Sequence, residues 1–438
     1  MTSIDYPSVV ASRRTTHELP NGLRVVVEED PHTSAVAINL WYGVGSRHEV
    51  VGRTGLAHLF EHLMFQGSAQ VASGEHFALL DALGATLNAT TAFDRTNYFE
   101  TVPPEALELA LWLEADRMGG LLEALDQRSL DNQRDVVRNE RRQRYDNRPY
   151  GTAMELLFAA TFPEGHQYHH TPIGSMADLH EASLADVRAF FGTHYYPGNA
   201  VLSIVGDVRA DETLSLVERY FGGIGTGTPA PVREPQTVPP PLAGPRLHID
   251  DEPVPASAVQ LMWPIPADGT MECDQVDLAA RVLGGTMSSR LHAELVRGRD
   301  LAQRASAGVF RLIGGNSVAM VDVLGADGVD SDKLLEATRD AIRGCLGDGP
   351  TVRELAAARA QAEADHLEQT QDLAGRADSL SHGMCLFSEP GHDEATVAAL
   401  DDLDQEQVGA AARAWLRPES ATTLTYQPMS GKTAKEAS

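Results

Sequence analysis

The chain has 438 residues, of which 42% are hydrophobic and 22% charged, which is typical of a globular protein and not of a disordered one. Its 35 Lys and Arg residues stand against 62 Asp and Glu residues, so the formal net charge is −27. Such an acidic protein repels nucleic-acid phosphate and anionic lipid, which argues against nucleic acid and membranes as principal partners.

Hydrophobic periodicity predicts a mixture of strands and helices without strict βαβ alternation. We therefore predict an α+β fold built on a mixed, mainly antiparallel sheet with helices on one face. In chain order the predicted elements are strands Leu23–Val27 and Ala35–Tyr42, helices Thr54–Phe65 and Gly74–Leu83, strand Leu87–Val102, helices Pro104–Leu122 and Asp131–Tyr145, strands Val201–Val205, Leu247–Ile249 and Val259–Trp263, helices Leu278–Leu283 and Ser288–Arg297, strand Ser317–Leu324 and helix Val352–Gln369.

The chain repeats one plan. The segment from Gly222 to Pro245 carries seven of the 24 prolines and is typical of a linker. The run Ser34-Ala35-Val36 before Trp41 returns as Ser257-Ala258-Val259 before Trp263, about 222 residues later. We predict two homologous domains in a clamshell arrangement, residues 1–224 and 246–438, joined by the linker 225–245.

The ends of the two halves also match, residues 186–207 with residues 407–428. Each stretch predicts a helix, a turn at a proline and a final strand. Ser183 with Asp186 is typical of a helix N-cap. The last residues, 430–438, lack large apolar side chains, which predicts a disordered tail.

No apolar stretch of signal-peptide or membrane-spanning length occurs, so we expect a cytoplasmic protein. The three cysteines form neither a disulfide framework nor a CxxC metal motif. The loop histidines His166, His169 and His170 are expected to be surface polar groups.

The segment TGLAHLFEHLMF contains the sequence HxxEH. On a helix, His58 and His62 stand one turn apart on the same face, with Glu61 beside them. Zinc binds neutral imidazoles, and a carboxylate outside the metal shell can act as general base. Chance histidines on a polar helix face are the alternative. The apolar residues around them argue against it, because buried histidines need a partner or a metal.

A third ligand has to come from elsewhere, and the charged segment NQRDVVRNERRQ offers Glu140. Val136 and Val137 are expected to face inward on that helix. On the residues alone, Glu140 is one of many glutamates, and a solvated helix face explains it equally well.

HLFEH followed 78 residues after His62 by Glu140 in RDVVRNERRQ resembles the pitrilysin/insulinase (M16) family of zinc peptidases. The runs LNATTAFDRTNYFETV, NRPYGTA, HHTPIGSMADL and YYPGNAVLSIVGDV resemble family landmarks in the same order. The likeness is strongest to the short bacterial and mitochondrial-processing-peptidase-like branch, which has two such domains and forms dimers.

The resemblance implies that His58, His62 and Glu140 hold one Zn²⁺ per chain and that Glu61 is the catalytic base. The family has a supporting glutamate seven residues before the ligand glutamate, and this chain has Gln133 there. The amide can still hydrogen-bond an imidazole, but it brings no negative charge.

The resemblance also implies that Asn88, Ala89 and Thr90 lie on an edge strand that binds peptide substrate by strand addition. An ordinary strand is the alternative for these residues.

The second half lacks the metal motif, because Ala280, Leu283 and Gly284 stand at the corresponding positions. The family has an arginine and a tyrosine seven residues apart here that bind the substrate. Arg297 is the candidate arginine. The residue seven positions later is Arg304, so the tyrosine is missing. We therefore predict a heterodimer with a paralogous subunit that lacks the zinc motif, or alternatively a homodimer.

The resulting hypothesis is a zinc-dependent metallo-endopeptidase that hydrolyses peptides or unfolded segments. The alternatives are a non-catalytic assembly subunit of the same fold and a peptidase dedicated to removing leader segments. An open metal site favours the enzyme.

Overall fold

The computed structural model describes residues 13–228 and 233–429. Residues 430–438, for which a tail was predicted, and residues 229–232 of the predicted linker lie outside this part. The strands are β1 Arg13–Glu18, β2 Arg24–Glu29, β3 Val36–Tyr42, β4 Thr86–Thr91, β5 Thr96–Val102, β6 Ala200–Gly206, β7 Arg246–Glu252, β8 Ala258–Pro266, β9 Ala302–Phe310, β10 Asn316–Gly325 and β11 Thr422–Pro428.

The helices alternate with these strands. They are α1 Leu56–Leu63, α2 Glu75–Asp81, α3 Leu107–Ala124, α4 Gln127–Arg141, α5 Ala153–Thr161, α6 Met176–Glu181, α7 Leu184–His194, α8 Ala210–Phe221, α9 Met271–Gly284, α10 Ser331–Asp348, α11 Val352–Gln369, α12 Leu373–His382, α13 His392–Ala399 and α14 Gln405–Trp415. The segments Arg142–Asp146, His292–Gly298 and Gly383–Phe387 form turns of π-helix.

Two mixed sheets organise the molecule, and they have the same plan. The first has the order β1-β2-β6-β3-β5-β4 and the second β7-β11-β8-β10-β9. In each sheet one pair is parallel, β2 with β6 and β7 with β11, and the remaining pairs are antiparallel. The predicted α+β fold with two copies of one plan is therefore confirmed. Among the described strands, the second sheet has no counterpart of β1.

Most predicted elements are present. Two of them differ in form, and the structure adds two strands and the six helices α5, α6, α8, α10, α12 and α13. The predicted strand Leu87–Val102 is a hairpin of β4 and β5, because residues 92–95 turn the chain. The segment Ser288–Arg297 contains a π-helical turn in place of a regular helix. The strands β1 and β9 were not predicted, because their alternation of polar and apolar residues is weak. The N-cap at Ser183 is confirmed, since its Oγ accepts a hydrogen bond from Asp186 N at 3.1 Å.

One helix of each half packs against the sheet of the other half, and these two helices occupy equivalent positions in the repeated plan. α12 of the second half packs on the first sheet, where Ala377 and Leu380 contact Trp41 and Val201. α5 of the first half packs on the second sheet through Phe158 and its neighbours. Each sheet is thus covered on both faces, which explains why β3 and β6 are buried along their whole length. This packing extends the prediction, which placed helices on one face only.

A buried polar cluster lies beneath α1. Tyr98 donates a hydrogen bond from its hydroxyl to Phe60 O of α1 at 3.1 Å. Arg117 and Glu114 form an ion pair, and Glu100 is buried beside them. Burial and the negative charge of Glu114 raise the pKa of Glu100 well above its ordinary value, although Arg117 opposes the shift.

Glu100→Gln is expected to stabilise the protein increasingly as the pH rises. The unfolded chain releases the Glu100 proton above about pH 4.3, whereas the folded chain retains it up to its raised pKa. Between these values the wild type loses up to about 1.4 kcal/mol of unfolding free energy per pH unit, and the amide does not. Chemical unfolding at pH 6 and pH 8 measures the difference, with the exposed Glu105→Gln as control. A stability difference that is the same at both pH values would contradict this assignment.

Among the described helices, none has a stretch long and apolar enough to cross a membrane.

Candidate metal centre

α1 carries the histidine pair. It begins after Gly55, and Leu56, Leu59, Phe60 and Leu63 are buried in the core of the first half. The helical spacing of four residues brings the rings of His58 and His62 together, with centroids 4.9 Å apart. The two imidazoles therefore stand side by side on one helix face, as the sequence predicts.

Glu140 reaches this pair from α4. Its Oε2 lies 3.5 Å from His58 Nε2 and 3.2 Å from His62 Nε2. Val137, one turn earlier, is buried and anchors α4, whereas Val136 is exposed, contrary to the expectation that both face inward. Tertiary packing thus selects Glu140 from the many glutamates of the chain.

His58, His62 and Glu140 can converge on one metal ion. Their candidate ligand atoms lie within 4.8 Å of one another, and no other cluster of three His, Cys, Asp or Glu side chains with this geometry occurs in residues 13–228 and 233–429. His62 Nε2 is buried, and although Glu140 Oε2 lies 3.2 Å away, the contact does not have the geometry of a hydrogen bond, and no other described residue forms one with this atom. Two imidazoles and a carboxylate are the ligands of many catalytic zinc sites, so the donor set fits zinc.

The charge of Glu140 is stabilised from two sides. Burial raises the pKa of this carboxyl, but its contacts with His58 and His62 and the positive charge of Arg144 outweigh burial and hold the pKa well below the usual range. Arg144, on the π-helical turn that follows α4, forms an ion pair with Glu140, and its Nη1 lies 2.7 Å from Glu140 Oε1. This pair leaves Oε2 directed at the histidines, a role that no local sequence pattern indicates for Arg144.

Glu61 lies on α1 between the two histidines in sequence and is half-buried. It is not one of the three converging groups, and no hydrogen bond to its carboxylate is formed by the part of the chain that the structure describes. Its negative charge acts on Arg95 of the β4–β5 hairpin. A carboxylate beside the metal group without a fixed partner is available for proton transfer.

Gln133 lies on α4, two turns before Glu140, and its side chain is buried. No hydrogen bond joins it to either histidine, and His58 Nδ1 has no hydrogen-bond partner within the described residues. Gln133 therefore lies on the helix that carries Glu140, but it does not form the supporting hydrogen bond to an imidazole that its position in the sequence allows.

Asn88, Ala89 and Thr90 lie on β4, at the edge of the first sheet. β4 pairs with β5 on one side only, as far as the described strands show. Ala89 is buried in the core that contains α1, and Thr90 bonds to Asn97 on the neighbouring strand, with their side-chain oxygens 2.6 Å apart. The strand is thus an available edge close to the metal helix.

Arg297 lies on the π-helical turn His292–Gly298 of the second half and is exposed. It forms no ion pair with the metal-site residues. Gln303, on β9, donates from Nε2 to Gly325 O at 2.9 Å, and Arg304 pairs with Asp322 at 2.8 Å. These contacts hold both side chains against the second sheet.

The loop histidines are not simple surface groups. His166 is buried, and His169 and His170 are half-buried. His166 Nε2 lies 3.1 Å from Gln236 O, His169 Nδ1 lies 2.8 Å from Phe162 O, and His170 Nε2 lies 2.8 Å from Glu49 Oε2. The expectation of exposed polar groups is wrong because this loop packs between the start of α1 and the segment that joins the halves.

Two family models match the chain. The model described as insulinase (peptidase family M16) matches residues 24–171, which contain His58, Glu61, His62 and Glu140. The model described as the peptidase M16 inactive domain matches residues 181–362. In that second region Ala280, Leu283 and Gly284 lie on α9 at the positions that correspond to the HxxEH residues.

Individual proteins match over most of the chain. A Helicobacter pylori protein named zinc protease PqqE is 34% identical over 291 residues, which are 66% of this chain and 64% of that protein. This alignment therefore spans less than two thirds of the length of that relative. An uncharacterized zinc protease of Mycobacterium tuberculosis is 29% identical over 414 residues, 93% of this chain and 92% of that protein.

The fold agrees with these matches. The crystal structure of a protease from Helicobacter pylori superposes with a TM-score of 0.87 at 26% identity, covering 95% of this chain and 100% of that chain. The two-sheet architecture, the paired histidines on α1 and the two matching models lead to one conclusion: the chain belongs to the M16 family of peptidases.

Proposed function

We propose that this chain is a zinc-dependent metallo-endopeptidase that hydrolyses peptides or unfolded segments. The observation that carries the proposal is the convergence of His58, His62 and Glu140 beside Glu61, whose carboxylate accepts no hydrogen bond from the described residues. His58, His62 and Glu140 would hold one zinc ion. The chemistry that zinc supplies at such a site is Lewis acidity, which polarises a peptide carbonyl and makes a water molecule more acidic.

Glu61 acts as general base in this proposal. Its carboxylate accepts a proton from the attacking water molecule and passes it to the leaving amine when the peptide bond breaks. An extended substrate binds along the free edge of β4, where the backbone of Asn88, Ala89 and Thr90 pairs with the peptide backbone. Such binding selects for extended conformation more than for particular side chains.

The chain works with a second subunit in this proposal. Gln303 and Arg304 stand where the family's substrate-binding tyrosine is expected. Both side chains contact the neighbouring strand of the second sheet, Gln303 at Gly325 and Arg304 at Asp322. A paralogous subunit without the zinc motif would supply the missing arginine and tyrosine. A homodimer in which Arg297 contributes alone is the alternative.

A peptide-cleavage assay on purified protein tests the proposal. We expect about one zinc per chain, and hydrolysis of an internally quenched peptide that a chelator abolishes and added zinc restores. The chain alone should hydrolyse slowly, and the paralogous subunit should raise turnover. Full activity of the isolated chain together with an inert Arg297→Ala would contradict the need for that subunit. Zinc binding without hydrolysis in either sample would instead favour a non-catalytic subunit.

A further inference from the structure

α1 begins without a side-chain cap of its own. Its N-cap residue is Gly55, in a left-handed conformation with φ +90°, and glycine has no side chain to accept hydrogen bonds. The first N–H groups of a helix have no acceptor within the helix, and at a buried end water cannot replace one. The start of the metal-binding helix therefore depends on an acceptor from elsewhere in the chain.

Glu49 supplies that acceptor. Its Oε2 accepts from Gly55 N at 2.8 Å, and its Oε1 accepts from Ala57 N at 2.7 Å. The Glu49 side chain is fully buried, with an exposed fraction of 0%. A carboxylate at a helix N-terminus is also favoured by the helix dipole. One side chain thus binds the backbone on both sides of the first helical residue, Leu56.

His170 holds the carboxylate in place. Its Nε2 lies 2.8 Å from Glu49 Oε2, and since a carboxylate can only accept, the imidazole donates. This bond joins residues 121 positions apart. His170 thus adds a third hydrogen bond to those from Gly55 N and Ala57 N, which lowers the cost of burying the Glu49 carboxylate and fixes its orientation.

The segment 174–178 also contacts the start of α1. Thr54 donates from both N and Oγ1 to Asp178 Oδ2, at 3.0 and 2.8 Å. A Cβ placed on Gly174 would stand 2.2 Å from Gly55 N, so the two backbones are in close contact. Glu49 with His170 holds one side of the first turn, and the segment 174–178 holds the other.

His58 lies in that first turn and His62 one turn later, so the position of both rings relative to Glu140 follows the placement of the helix start. Metal and catalytic groups need placement within about 0.5 Å. We propose that Glu49 and His170 are positioning residues of the metal centre, which set the first turn of α1 and thereby direct His58 and His62 at Glu140. The proposal rests on the zinc site of the proposed function, but not on the reaction.

His170→Ala is expected to weaken zinc binding by about tenfold to a hundredfold, the range for groups that support metal ligands indirectly. Glu49→Gln should weaken it too, because its amide N–H₂ faces a backbone N–H or the His170 donor. His170→Gln keeps a donor and should restore most of the affinity. Zinc affinity is measured by competition with a chelator, and Co²⁺ bound in place of zinc should show shifted visible absorption bands in His170→Ala.

His169→Ala is the matched control. His169 lies in the same loop and is half-buried, but its Nδ1 bonds to Phe162 O and not to the start of α1. When the zinc-free proteins are compared, His169→Ala should lose about as much unfolding free energy as His170→Ala. It should nevertheless bind zinc within about twofold of the wild type. Unchanged zinc affinity in His170→Ala, or an equal loss in His169→Ala, would overturn the proposal.

The same experiment separates the two proposals. A wild-type chain that binds no zinc would overturn both. A wild-type chain that binds zinc in a manner dependent on His170, but hydrolyses no peptide, would contradict the proposed activity while supporting the positioning role.

Discussion

Glu61→Gln is expected to lower peptide hydrolysis by about 10²- to 10⁴-fold while zinc remains bound, because a positioned general base contributes about that much. The amide has nearly the same shape as the carboxylate, but it cannot take a proton from the attacking water. Glu61 is not among the converging ligand groups, so the metal site should stay intact. Turnover of a quenched peptide and zinc content, measured on the same samples, give the two readouts.

Glu123→Gln is the control for this experiment, since Glu123 is exposed on α3 of the same half. It should keep full activity. Glu61→Asp keeps the base but withdraws it by one methylene, so its activity should lie between those of the wild type and Glu61→Gln. Undiminished turnover in Glu61→Gln would remove Glu61 from the mechanism.

Glu140→Gln is expected to weaken zinc binding by more than about a hundredfold, beyond the range for groups that support ligands indirectly. The substitution removes the negative charge that faces two imidazoles at 3.5 and 3.2 Å. It also breaks the ion pair with Arg144, which directs the carboxylate. Chelator competition measures zinc affinity, and circular dichroism checks that the variant is folded.

Glu155→Gln is the matched variant for Glu140. Glu155 pairs with Arg141 at 2.9 Å, so its loss also breaks a carboxylate–arginine pair next to α4, but no metal ligand is touched. Zinc affinity should remain within about twofold of the wild type, because Arg141 keeps its second partner Asp146 and the metal ligands keep all their contacts. Equal losses in both variants would mean that Glu140 acts through the packing of α4 and not as a ligand.

The local features were predictable because they depend on neighbours in sequence. The period of apolar residues in TGLAHLFEHLMF defines a helix, and a spacing of four puts His58 and His62 on one face. The nearly continuous apolar run Ala35–Tyr42 and the matching run before Trp263 indicate the repeated strands. The hairpin of β4 and β5 is predicted as one strand, because three of the four residues between its strands, Ala92, Phe93 and Arg95, are not turn formers.

The partners of these elements were not predictable in the same way. Nothing local distinguishes Glu140 from other helical glutamates, and the resemblance to a known family supplied what its position in the chain could not. Glu49 and His170 were missed, because a hydrogen bond over 121 residues leaves no periodic pattern. A glutamate shortly before a helix whose N-cap is glycine is the signal that could have indicated Glu49.

The sequence by itself determined that this acidic chain has one α+β plan used twice and that the first copy alone carries the HxxEH helix. Periodicity, spacing and repeats express these properties directly. Only the tertiary structure decided that α5 and α12 each pack on the sheet of the other half and that Glu140 lies beside the two histidines. It also decided that Glu49 with His170 binds the start of α1. These depend on the packing of segments far apart in the chain, where burial and the need to satisfy every buried polar group select the partners.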